Sequence, residues 1–193
     1  MKKRQFLGAV AAAGALPALG AAAPKTAERG PTLLTVTGAI ARPNRGRFDR
    51  VADQMMHRQR LSFEKAFVFD FAALAALPAV TIKPTLEYDA RPHTLAGPLL
   101  VDVLKAAGAQ VSESSNIVLR AVDGYAVAVT LARASAQRYI VATHLDGAPM
   151  ALGGLGPLWA IYDADRVPEM ASRPVGERFS TCPWALYHID VQA

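Results

Sequence analysis

The chain has 193 residues, 52% of them hydrophobic and 19% charged, with one cysteine and a formal net charge of +5. So much apolar surface excludes a disordered chain, and a lone cysteine excludes a disulfide framework and any multi-thiolate metal or iron–sulfur centre. The length suits one domain with a substantial core.

The basic excess begins at the N-terminus. Met1-Lys2-Lys3-Arg4-Gln5-Phe6-Leu7 leads into an apolar run from Gly8 to Ala15 and then into small residues up to Ala23. A cationic start, a short apolar centre and a small-residue end predict a secretory signal over residues 1–22, cut near Gly20 to Ala22. The run is too short and too rich in Ala and Gly to span a bilayer, which takes about 20 strongly apolar residues. No transmembrane segment is therefore expected in the mature chain. Lys3-Arg4-Gln5-Phe6-Leu7 resembles the twin-arginine pattern with Lys for the first Arg, and both the twin-arginine and the general route end in the periplasm. Three of the 21 basic residues lie in this segment, so 18 remain against 16 acidic ones, a net charge of +2. That balance speaks against a nucleic-acid partner.

Residues 23–31 form a polar leader with Pro24, Gly30 and Pro31, expected to be flexible, and 32–193 form the domain. Thr32 to Thr37 reads as a strand ended by Gly38. Phe48, Val51, Ala52, Met55 and Met56 recur at helical spacing, with the Met pair filling core and a cationic outer face (Arg45 to Lys65) in solvent. Phe67 to Phe69 is a short strand, and Asp70 caps a helix from Phe71 to Leu77 that Pro78 stops. Val80, Ile82 and Leu86 share one face of the next strand, which Pro84 confines to an edge or bulge. Leu99, Leu100, Val103, Leu104 and Ala107 make the buried face of a helix closed by Gly108. Ile117 to Val122 and Tyr125 to Leu131 flank Asp123-Gly124, a hairpin turn. Tyr139 to Leu145, Leu158 to Tyr162 and Trp184 to Val191 complete the strands. Strands outnumber helices and come in runs, which predicts an α+β fold with a strand-rich mixed or antiparallel sheet and short helices.

The residues permit little local chemistry. His57, His93, His144 and His188 form no HxxxH pair, so no helix-borne zinc site is expected. Asp163, Asp165 and Glu169 lack calcium-loop spacing and read as a solvated acidic loop. Gly153-Gly154-Leu155-Gly156-Pro157 is no phosphate loop; it is either a tight turn or a place where backbone amides approach a ligand. Cys182, in Ser180-Thr181-Cys182-Pro183-Trp184, reads as a partly buried structural cysteine.

Seven pieces in order resemble the molybdopterin-binding domain of the sulfite-oxidase superfamily, and small exported molybdopterin-dependent oxidoreductases in particular. They are Leu34-Thr35-Val36-Thr37-Gly38-Ala39-Ile40, Phe69-Asp70-Phe71 through Leu77-Pro78, and His93 to Leu104 with Ala107-Gly108-Ala109. Then come Asp123-Gly124-Tyr125, Asp146-Gly147-Ala148-Pro149-Met150, Gly156-Pro157-Leu158-Trp159-Ala160-Ile161-Tyr162, and the Trp184-to-Val191 strand. The resemblance implies a sulfite-oxidase-like α+β fold and, in catalytic members, a molybdenum–pterin cofactor held by a cysteine just after the strand that corresponds to Val80–Glu87. This chain has Leu86-Glu87-Tyr88-Asp89-Ala90 there, with no thiol, and Cys182 does not match that position. Neither a phenol nor a carboxylate replaces a soft thiolate. The expected function is accordingly a periplasmic, non-catalytic protein that binds a small ligand or a periplasmic or membrane protein partner, without a cofactor or metal. Tyr88, Arg91, His93, Tyr125 and Asp146 are its expected lining residues near the vacated cofactor site. The alternative is a molybdopterin-dependent oxidoreductase with an atypical metal site.

Overall fold

The computed structural model describes residues 29–193. The expected signal over residues 1–22 and the expected leader up to residue 28 lie outside the described residues. In chain order the elements are β1 (Leu34–Gly38), α1 (Gln54–Arg58), β2 (Phe67–Phe69), α2 (Phe71–Ala75), β3 (Ala79–Ile82), β4 (Leu95–Pro98), α3 (Leu100–Ala106) and β5 (Asn116–Ala121). They continue with β6 (Ala126–Thr130), α4 (Leu131–Ala136), β7 (Ile140–Ala142), β8 (His144–Leu145), β9 (Ala148–Pro149), β10 (Trp159–Ile161), α5 (Pro168–Ala171) and β11 (Leu186–Gln192). The class is α+β, rich in strands and with short helices.

A five-stranded sheet in the order β2-β1-β11-β5-β6 forms the main layer. β1 runs parallel to β11 and every other pair in it is antiparallel, so the sheet is mixed. β11 is central because Leu186 to Ile189 are buried without alternation, the pattern of a strand covered on both faces. A second sheet, β3-β4-β8-β9, is antiparallel. The β7–β10 ribbon lies against β4, since Gly97 in β4 has no side chain where Val141 passes: a Cβ there would stand 2.0 Å from the Val141 carbonyl oxygen. One core unites these layers, with Leu34, Leu74, Leu100, Leu104, Ile117, Leu119, Trp159 and Ile189 all buried. Each such side chain contributes on the order of 1.5–3 kcal/mol by leaving water.

Several local expectations match. Asp70 accepts from the Ala73 N–H and caps α2; β3 is an edge strand that ends before Pro84; and Gly108 closes α3 at φ +69°. β5 and β6 pair around Asp123-Gly124, where Gly124 takes φ +93°. Others differ. The helix expected from Phe48 shrinks to Gln54–Arg58, because the Asp49 carboxylate captures the Val51 and Ala52 N–H groups and forms a local turn. Met56 enters the core while Met55 stays exposed and Val51 is 80% exposed. The strand expected to reach Leu131 stops one residue earlier, where Thr130 accepts from the Arg133 N–H and starts α4. The Tyr139–Leu145 strand divides at Thr143 between two partners, β10 and β4. At the start of the described chain, Gly30 donates its N–H to Asp70.

Among the described residues, no helix is long and apolar enough to cross a membrane.

Candidate functional site

The segment from Arg178 to Ala185, which leads into β11, is held from behind by buried aromatic side chains. Trp159 donates its indole N–H to the Cys182 carbonyl at 2.9 Å, and Tyr162 donates its hydroxyl to the Arg178 carbonyl at 2.7 Å. Tyr139 shares a 2.6 Å hydrogen bond with the Thr181 hydroxyl. A buried Tyr or Trp needs a partner for its polar atom, and here each finds one on the same segment. Backbone bonds from Ala160 to Pro183 and from Leu186 to Leu158 complete a rigid wall.

In front of this wall lies a cavity of about 280 Å³. The β5–β6 hairpin contributes Ala121, Asp123 and Tyr125, the wall contributes Phe179, Ser180 and Cys182 to Trp184, and the loop after β3 contributes Glu87. Tyr125 bridges two of these pieces by donating its hydroxyl to the Ser180 carbonyl, and its backbone N–H goes to the Asp123 carboxylate at 2.8 Å. Tyr88 stands next to Glu87, where partial burial and the Glu87 carboxylate push its hydroxyl up to about 12. Among the described residues six large apolar side chains are conspicuously exposed, and the three aromatic ones, Tyr88 (54%), Tyr125 (48%) and Trp184 (38%), gather at this place.

Cys182 forms part of the cavity lining but is not reactive. It is 4% exposed, its Sγ donates to the Tyr139 hydroxyl at 3.8 Å, and burial pushes the thiol up to about 12. A thiol so protonated is a poor nucleophile and a poor metal ligand.

Asp89 and His93 of the same loop form a second cluster with Asp146 of the β8–β9 turn. His93 Nδ1 lies 2.7 Å from Asp146 and Nε2 lies 3.0 Å from Asp89, so the imidazolium donates to both carboxylates. Those bonds raise the His93 pKa above its ordinary value, and hydrogen bonds from His93 hold both carboxylates below theirs. Asp146 also accepts the Thr94 N–H, which ties the β8–β9 turn to the start of β4. Both ring nitrogens are occupied, and among the described residues no group of three His, Cys, Asp or Glu is arranged to hold a metal ion.

The five residues expected to line one site therefore divide. Tyr125 lines the cavity and Tyr88 sits at its edge; His93 and Asp146 belong to the ionic cluster; Arg91 is exposed and gives its backbone N–H to Asp89. One loop, residues 84–93, carries three of the five, Tyr88, Arg91 and His93. Acidic residues expected to be solvated position it: Asp163 accepts from the Lys83 N–H at 3.3 Å and Asp165 from the Thr85 N–H at 2.7 Å. Arg178 pairs with Asp165 at 2.7 Å, so the same acid connects the loop to the cavity wall. Glu87, Asp123 and Trp184 are cavity residues that sequence reasoning did not select. The accessible signals were a Trp after Cys182-Pro183 and a carboxylate, Glu87, directly before the selected Tyr88.

No family model matches the chain, and no curated protein matches it.

Proposed function

We propose that this is an exported, periplasmic, non-catalytic protein of the sulfite-oxidase molybdopterin-binding type, whose cavity between Glu87, Tyr125 and Trp184 binds a small ligand. The observation that carries this reading is the convergence of the exposed aromatic side chains on one walled cavity. Exposed aromatic surface is costly in water, and gathered around a concavity it is what a ligand covers.

The residues present do not fit a molybdenum–pterin group. The only sulfur at the cavity is the buried, protonated Cys182. The charged side chains lining it are Glu87 and Asp123, which repel a pterin phosphate, whereas such a phosphate is held by Arg, Lys or helix N-termini. We derive no oxygen-atom transfer from this site.

The test uses the two tryptophans. Trp184 lines the cavity and Trp159 is fully buried behind its wall, so the Trp184 indole N–H resonance reports the site directly and that of Trp159 reports the wall. Titration of the exported protein with fractionated periplasmic small molecules is expected to move the Trp184 resonance saturably, and by more than that of Trp159. Fractions that leave Trp184 unmoved throughout contradict a ligand site here.

A further inference from the structure

We infer that the ligand of this cavity is a small organic cation with an alkylammonium head group; the inference rests on the ligand-site reading above and adds the chemical class. Three independent features point to it. The sign of the site is negative, because Glu87 and Asp123 line it and no Lys, Arg or His does. Neither carboxylate is engaged in an ion pair among the described residues, so their charge is left for a ligand to neutralise.

The walls are aromatic. Tyr125, Trp184 and Phe179 border the cavity and Tyr88 stands at its rim. The faces of such rings carry negative electrostatic potential and attract a cation within about 6 Å of the ring centre. An aromatic enclosure flanked by carboxylates favours an ammonium head group whose methyl or methylene surface meets the rings.

Three donors of the site are already committed. The Tyr125 hydroxyl goes to the Ser180 carbonyl, the Tyr125 N–H to Asp123, and the Cys182 thiol to Tyr139. An anion or a carbonyl ligand needs donors, whereas an alkylammonium needs only acceptors and ring faces. The volume, about 280 Å³, also suits a compact ligand rather than a nucleotide or a peptide.

The probe is choline, compared with its uncharged isostere 3,3-dimethylbutan-1-ol and with inorganic phosphate, each titrated into the full exported protein by calorimetry and tryptophan fluorescence. Choline is expected to saturate the site, with the isostere and Glu87→Gln each weakening binding about tenfold and Trp184→Ala weakening it further. Both side chains are at least partly solvent-exposed, and the variants are expected to keep the wild-type unfolding midpoint; Trp184→Phe, which retains a ring face, is expected to restore part of the affinity. Equal binding of choline and its isostere, or no effect of Glu87→Gln, overturns the inference. If phosphate or the neutral alcohol moves the Trp184 signal and choline does not, the ligand site stands and the cation class falls. If none of the three moves it, the cation class falls and the ligand site rests on the wider titration alone.

Discussion

Replacing His188 by Gln tests how the central strand is built. His188 is 2% exposed in β11, and its Nε2 lies 2.9 Å from the Thr37 hydroxyl. Thr37 donates its single hydroxyl proton to Asp190, so it accepts from the His188 Nε2–H. Nδ1 is buried with no hydrogen-bond partner. Burial disfavours the charged ring and brings its pKa down to about 4, with Asp190 opposing that shift and Arg120 adding to it. The unfolded chain, titrating near 6.5, binds a proton that the folded chain refuses. Stability from this group is therefore complete above pH 6.5 and is lost as the pH falls towards 4. At about 1.4 kcal/mol per pH unit, the full loss is about 3 kcal/mol, and about 2.5 kcal/mol of it is reached by pH 4.5. Urea unfolding of wild type and His188→Gln at pH 7 and 4.5 measures it. The wild type is expected to lose that much more than the variant, which keeps a donor for Thr37 and cannot titrate. Equal losses in both proteins refute the argument that a neutral imidazole is locked in the sheet.

Three further outcomes follow from the same geometry. His93→Gln removes an imidazolium whose pKa is raised by Asp146 and Asp89; its contribution is complete below about pH 6.5 and disappears as the pH rises through the raised value. Wild-type stability thus peaks near pH 6.5, and thermal unfolding of the variant is expected to show no decline from pH 6.5 to 8.5; an unchanged decline contradicts the bridge. Gly97→Ala forces a Cβ to within 2.0 Å of the Val141 carbonyl oxygen, and backbone displacement there is expected to cost more than about 2 kcal/mol in chemical denaturation. Trp159→Phe leaves the Cys182 carbonyl without its indole donor; a loss of about 2 kcal/mol and a weaker ligand response at Trp184 are expected, and a full-affinity variant means the wall does not depend on that bond.

Elements governed by local chemistry were legible in the sequence. Asp70 before an apolar helix, Asp123-Gly124 between alternating residues, Gly108 after Ala107 and Pro84 beyond a strand each act through a neighbour or two. The errors arose where a side chain competed for backbone groups that periodicity assigned elsewhere. Asp49 unwinds the expected helix start, and Thr130 turns an alternating strand into a helix. The cavity was only half legible. Tyr88 and Tyr125 were selected, but Glu87, Asp123 and Trp184 meet only through the pairing of β11 with β5 and the anchoring of residues 83 and 85 by Asp163 and Asp165. Contacts of that sequence separation follow from the packed fold, and the sequence pattern of no single segment encodes them.

We propose a ligand-binding protein that carries no molybdenum–pterin group. That absence is tested most directly by the molybdenum and pterin content per chain of protein purified from the periplasm of cofactor-replete cells. Well under one equivalent of either is expected. One molybdenum and one pterin per chain would contradict it.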